Sequence, residues 1–440
     1  MMAKRMTEDS RLPELLPLLE QLLAATREWA RGGEPGPDTE DLRRRALLLN
    51  HARYTALIPA YRHLAEEQGL EGEAGLEALV QELMFSDGLF KSYQVEWVEQ
   101  GDFTAMTDWL GSIFAREPRI DAREVRDLHA WRERLKRHEV FLTTSSGTSG
   151  RPSFVPRDRR TLDALRYNGS AYPHPVWPMG PGGLQHFACL VLGPRGRGLG
   201  LQAAGSGLAR MAVRSHYLDD TELTLNAFQR PGGEGSGRPG APEAAQDAAH
   251  ERALEFLQQC TAEALPVLVF GPPFRLRQAC ERIAARGAPL PLTPHSIVVS
   301  GGGWKSFGGQ KISQTQLLEL IEVTLGIPRQ RVIDTYSTAE LNCVFMSCAE
   351  HRHHIPPLVE PVVLDEALTG TPGAEGQGML GVLDPFALSY PGFILTGDQV
   401  CLTREPCACG LTGWSLVGDI ERAPGQTVRG CGGALASVLA

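Results

Sequence analysis

The chain has 440 residues, 42% hydrophobic and 22% charged, the proportions of a folded protein, which excludes wholesale disorder. Its 52 Asp and Glu outweigh 43 Lys and Arg, so a net charge of −9 argues against the broad basic footprint of a nucleic-acid binder. No apolar run approaches the roughly 20 residues that span a bilayer. The nine cysteines, odd in number in a long chain without a recognisable signal peptide, predict thiols in a reducing cytoplasm. In chain order, helical apolar spacing covers 10–30 and 39–85, separated by a Gly/Pro linker at Gly32, Gly33, Pro35 and Gly36. A further helical stretch, 93–135, holds Trp97, Trp109 and Trp131. From Val140 the texture changes to short β-rich runs at 140–143, 187–192, 266–270, 296–299 and 332–333. Helical segments near Leu162 and at 249–259, 274–286 and 314–324 lie between them, the rhythm of a layered α/β domain. A Gly/Pro-rich insertion occupies 230–246, and short strand candidates fill 358–440. The expected organisation is a helical region over 1–135, an α/β core over 136–357 and a β-rich subdomain over 358–440.

The first chemical signal is LTTSSGTSGRPS, residues 142–153, directly after a predicted strand. Small residues let a backbone turn approach an anion closely, and hydroxyls add donors, so Ser145, Ser146, Gly147, Thr148, Ser149 and Gly150 suit phosphate oxygens. It is not the GxxxxGK[ST] loop, because no Lys follows the second glycine. A rival, GLGLQA at 198–203, matches a dinucleotide fingerprint formally. It is set aside because the turn before it is long and no acidic-ended strand is apparent about 20 residues on.

Three more segments follow: SGGGWK at 300–305, DTYSTAE at 334–340 and LTGD at 395–398, with RGC at 429–431 near the end. With the Ser/Gly loop, this series resembles the adenylate-forming superfamily, and within it the acyl-protein synthetases of the LuxE type, with phenylacetate–CoA ligases as more distant kin. The resemblance implies an adenylate-forming layered α/β fold and an ATP- and Mg²⁺-dependent enzyme that activates a fatty or aryl carboxylic acid. It implies that Ser145 to Gly150 hold phosphates, and that Gly301, Gly302 and Gly303 let the backbone lie against adenine. In the segment Tyr336, Ser337, Thr338 and Glu340, Tyr336 would stack on adenine, Thr338 would touch phosphate and Glu340 would ligate Mg²⁺. Asp398 would hold the ribose hydroxyls.

The superfamily usually adds a mobile C-terminal subdomain carrying a lysine, which in this sequence is expected to be absent or vestigial. Lys305 is the substitute cation, because negative charge builds at the α-phosphorus during adenylation. The resemblance also makes Cys431 the residue that takes the acyl group as a thioester; the adjacent Arg429 favours its thiolate. The acceptor would then be an acyl-CoA-reductase-like subunit or an acyl carrier protein. Phe270, Gly271 and Phe274 would flank the acid pocket. Two positions depart from the pattern: Asp419 stands where an arginine is usual, with Arg422 as its replacement, and the loop lacks the usual lysine, with Ser153 there and Arg157 beyond.

Finally, Cys348, His354, Cys407 and Cys409 form a soft-donor set suited to a structural Zn²⁺, with His351 and His353 as alternatives to His354. Two other functions fit the same sequence: an acyl- or aryl-CoA ligase using CoA directly, and a non-catalytic zinc-containing scaffold.

Overall fold

The computed structural model describes residues 9–145, 151–170, 186–196, 200–219, 243–304 and 311–423, the side chains of 167–170 and 243–244 excepted. Ser146 to Gly150, Lys305, Cys431 and positions 230–242 of the insertion lie outside the described residues.

Seven helices come first: α1 (Leu12–Ala30), α2 (Thr39–Leu57), α3 (Pro59–Glu67), α4 (Leu76–Glu82), α5 (Val95–Gln100), α6 (Phe103–Ser112) and α7 (Leu128–Arg137). Asp102 and Asp127 cap α6 and α7 by accepting from backbone N–H groups in the first turn. A hairpin of β1 (Phe141–Ser145) and β2 (Ser153–Arg157) leads into α8 (Arg159–Ser170). The parallel half of the large sheet then forms from β3 (Ala188–Pro194), α9 (Gly200–Met211), β4 (Arg214–Asp219), α10 (Glu243–Ala262), β5 (Val267–Gly271) and α11 (Pro273–Ala284). It is completed by β6 (Ile297–Gly301), α12 (Gln314–Leu325) and β7 (Val332–Tyr336). α12 opens on a capping box between Ser313 and Gln316 and stops at Gly326, whose φ of +64° suits a residue without a Cβ.

The remaining strands are antiparallel: β8 (Phe345–Ser347), β9 (His353–His354), β10 (Glu360–Leu364), β11 (Gly376–Leu383), β12 (Phe393–Thr403) and β13 (Ser415–Arg422). They do not form a sheet of their own. One 11-stranded sheet runs β10-β11-β12-β13-β9-β8-β7-β6-β5-β3-β4, so the strands after Leu358 continue the α/β sheet.

Alternation explains the layers. In β3 and β5, Leu190 and Val269 face α10–α12, whereas Cys189, Val191, Leu268 and Phe270 face α9. Helices α1–α7 pack instead on the antiparallel half, sharing a core that includes Tyr54, Tyr61, Phe85, Leu383 and Phe393. The strand β4 was not apparent in the sequence. It does end in an acidic residue, Asp219, and lies parallel to β3 across α9. The acidic-ended strand that the sequence pattern near 198–203 did not show is therefore present, although part of that motif lies outside the described residues. No described helix is long and apolar enough to cross a membrane.

Candidate active site

Ligands of parallel α/β sheets bind beyond the carboxyl ends of the strands. Here β6 and β7 pair so that Gly301 lies opposite Thr335. A Cβ at Gly301 would sit 2.4 Å from Thr335 Oγ1, which donates to the Ser300 carbonyl at 2.7 Å. Gly302 and Gly303 have φ of +85° and +64°. The three glycines thus answer a close approach and a left-handed turn.

Tyr336 ends β7, and its hydroxyl donates to Asp398 Oδ2 at 2.8 Å. Asp398 sits on β12 and is 8% exposed; Arg422 Nε lies 3.2 Å from its Oδ1. Arg422 also donates to the Thr396 carbonyl at 2.9 Å, fixing the guanidinium beside the carboxylate. Burial pushes the Asp398 carboxyl up, and Arg422 and the tyrosine hydroxyl oppose that shift. Asp419 faces elsewhere, 3.6 Å from Lys311 Nζ.

Beyond Tyr336 the chain leaves the sheet. Ser337 Oγ donates to the Cys343 carbonyl at 2.9 Å, whereas Thr338 Oγ1 is buried without a hydrogen-bond partner among the described residues. The Glu340 carboxylate, 5% exposed in residue terms, accepts from Ser153 Oγ at 3.1 Å. Ser145 and Ser153 face each other across the hairpin, their hydroxyls 2.8 Å apart. Because the Ser153 proton points to Glu340, Ser145 is the donor to Ser153. Both ends of the Ser/Gly segment are thereby tied to the glutamate of a segment almost 190 residues away.

Arg157 does not take the place of the loop's missing lysine, and its partners escaped the sequence reading. Arg157 is fully buried and committed to Asn342 and to the Ala339 and Leu341 carbonyls, so it is no free phosphate cation. Tyr390 and Asn342 belong to the same network, and neither sits in a recognisable motif. Phe270 lies between β5 and α9, where Gly205 leaves room for its ring. Gly271 abuts Leu192, and Phe274 is half-buried in the first turn of α11, under the Arg275 guanidinium.

A second cluster lies on the antiparallel half. The ligand atoms of Cys348, His354, Cys407 and Cys409 all fall within 4.8 Å of one another. Cys348 and Cys407 sulfurs are 3.7 Å apart, and Cys409 Sγ is 3.3 Å from His354 Nε2. A tetrahedral zinc with Zn–S bonds of about 2.3 Å has sulfur–sulfur edges of about 3.8 Å, so the donor set fits such an ion. Burial holds the His354 imidazole down to about 4, leaving it a neutral donor, and pushes the Cys409 thiol up to about 12. The alternation of β9 separates the histidines: His353 Nε2 turns to Asp334 Oδ2 at 3.0 Å, and His354 turns to the thiols.

This arrangement is the fold of adenylate-forming enzymes. The open conformation of 2-hydroxyisobutyryl-CoA ligase, in complex with 2-HIB-AMP and CoA, superposes with a TM-score of 0.54 at 16% identity. That superposition covers 89% of this chain and 76% of that one. The same ligase in its thioesterification state gives 0.54 and 16%, covering 88% and 68%. Residues 241–440 match the family described as acyl-protein synthetase, LuxE, and over that part the chain is LuxE-like. A long-chain-fatty-acid–luciferin-component ligase of Aliivibrio fischeri is 27% identical over 194 residues, 43% of this chain and 50% of the relative. One of Vibrio harveyi is 31% identical over 142 residues, 32% of this chain and 37% of the relative. The matched stretch therefore spans half or less of these relatives.

Proposed function

We propose that the chain is an ATP-dependent ligase that activates a fatty or aryl carboxylic acid. The observation that carries this reading is the Ser145–Ser153–Glu340 chain beside the Tyr336–Asp398 pair, at the carboxyl ends of β6 and β7. The likeness to LuxE and to ligases of the adenylate-forming fold supports it.

In the first step the substrate carboxylate attacks the α-phosphorus of ATP; an O–P bond forms, the bond to pyrophosphate breaks, and acyl-AMP results. Ser145 to Gly150 hold the phosphates, Gly301 to Gly303 flank adenine, and Asp398 accepts from the ribose once Tyr336 and Arg422 share it. Glu340 would hold a Mg²⁺ ion, which would supply charge neutralisation to the phosphates. Lys305 stabilises the charge that develops at phosphorus. In the second step the Cys431 thiolate attacks the acyl carbonyl, a thioester forms, and AMP leaves with the electron pair. The acyl group then passes to a reductase-like subunit or a carrier-protein thiol. Cys348, His354, Cys407 and Cys409 would hold a Zn²⁺ ion in a structural role, since the donor set itself would supply all four ligands.

Acid-dependent pyrophosphate exchange, run over a panel of acids, tests the first step; no exchange with any acid overturns the reading. Cys431→Ser should keep exchange and lose the hydroxylamine-sensitive label formed from ATP and radiolabelled acid. A persistent label would move the thioester to another cysteine. Consumption of CoA by a wild type that never labels would make the enzyme a CoA ligase.

A further inference from the structure

Glu340 is gripped through its backbone as well as its carboxylate. Its carbonyl accepts from the Tyr390 hydroxyl at 2.6 Å. The carbonyls on either side, Ala339 and Leu341, both accept from Arg157 Nη2, at 2.8 and 3.1 Å. Arg157 Nε donates to Asn342 Oδ1 at 2.8 Å, and Nη2 donates to the Tyr390 hydroxyl at 3.0 Å, closing the network. The guanidinium also lies over the Tyr390 ring, 5.1 Å from its centroid.

Two features make this more than ordinary packing. Arg157 and Tyr390 are both fully buried, and among the described residues no carboxylate lies within ion-pair distance of Arg157. The buried Asp384 carboxyl offsets part of the charge from beyond ion-pair distance. Yet the guanidinium's direct partners are neutral carbonyls, an amide and a hydroxyl, a costly burial that holds the surrounding backbone in one geometry. In addition, residues 337–342 belong to neither helix nor strand. No ladder holds this segment in place, and side chains must do so.

We infer that Arg157 and Tyr390 are positioning residues for Glu340, fixing the backbone of 339–342 so that the carboxylate meets the divalent cation of the ATP complex. This rests on the proposed ATP reading. Arg157 leaves β2 only four residues after Ser153, the donor to the Glu340 carboxylate. One strand therefore sets both the backbone and the side chain of the glutamate, and couples them to the loop expected to hold phosphate.

The test is calorimetric titration with ATP, in excess Mg²⁺ and in EDTA, on the full chain. The quantity read is the gain in ATP affinity that Mg²⁺ produces. Glu340→Gln should remove that gain and sets the floor. Tyr390→Phe, which deletes one hydroxyl, should cut the gain at least fivefold and leave the affinity in EDTA within twofold. Arg157→Lys keeps the charge but cannot span two carbonyls and Asn342, so it should lose more; should it fail to fold, Tyr390→Phe decides alone. A wild-type gain in Tyr390→Phe overturns the inference, as does a parallel fall in both affinities, which marks general damage. Absence of ATP binding by the wild type overturns the ATP reading itself, and the inference with it.

Discussion

The two halves of the sheet are held together by different physics. The parallel half is an apolar sandwich: β3, β5 and β6 bury side chains on both faces, and helices α9–α12 close them over. The antiparallel half also shares an apolar core with α1–α7, but it is in addition tied to α1 and α2 by a row of polar contacts. Trp29 donates to the Thr412 carbonyl at 2.7 Å, Asn50 to Pro385 at 2.7 Å and Tyr54 to Ala387 at 2.5 Å. Arg43 donates to the Pro357 carbonyl and forms a buried ion pair with Glu360, 2.5 Å apart. Apolar faces accept many partners of the right volume, whereas a carbonyl that must receive a donor accepts one register. The helical region is thus located by hydrogen bonds, and the candidate active site lies along the seam between the two regimes.

If this contrast holds, the halves should break differently. The largest effect belongs to Glu360→Ala, which leaves Arg43 buried without its carboxylate and should cost about 3–5 kcal/mol of stability. Denaturant unfolding measures it, and a loss under 1 kcal/mol would show the antiparallel half to be no more dependent on charge than its neighbour. In the proposed reaction, Lys305→Ala should slow acid-dependent pyrophosphate exchange by about 10²–10³ with an unchanged melting temperature. Exchange within a few-fold of wild type would remove Lys305 from the reaction.

A pH experiment probes the polar half again. Burial pushes the Asp384 carboxyl up to about 6, against the backbone N–H groups of Asn342 and Phe386, which donate to it, and the nearby Arg157 guanidinium. A folded-state value above the unfolded one means that ionisation opposes folding. This group therefore destabilises the protein fully above pH 6, and the loss is relieved as pH falls through 6 toward 4. The swing is on the order of 3 kcal/mol. Asp384→Asn cannot titrate and should flatten the stability profile over that window; an unchanged slope would refute the assignment. The smallest effect is in the apolar half. A Cβ at Gly205 would lie 3.0 Å from Phe270 and Val191, so Gly205→Ala should cost about 1–3 kcal/mol by overpacking, without altering any pH profile.

The same contrast explains what the sequence disclosed. β3, β5 and β6 are short apolar runs because both faces are buried, and they were readable as strands. β4, RSHYLD, is a polar edge strand half open to solvent, and its pattern gave no warning. In the candidate site, the glycines, Tyr336, Glu340 and Asp398 stand in motifs and were readable. Arg157 and Tyr390 do not, because their role depends on carbonyls about 180 and 50 residues away, and a carbonyl leaves no trace in a sequence. The metal-donor set was legible by residue type. The choice of His354 over His353 needed the alternation of β9.

The contacts that seat α1 and α2 join residues 383, 335, 333 and 317 positions apart. A ribosome adds roughly 5–20 residues each second, so the first helices wait roughly 15–80 s before their partners exist. During that time their apolar faces, Leu15, Leu18, Leu22 and Leu47 among them, have only one another and the helices that follow, α3–α7, to cover them. Order of synthesis thus runs opposite to structural dependence: α1 and α2 are made well before the strands that complete them.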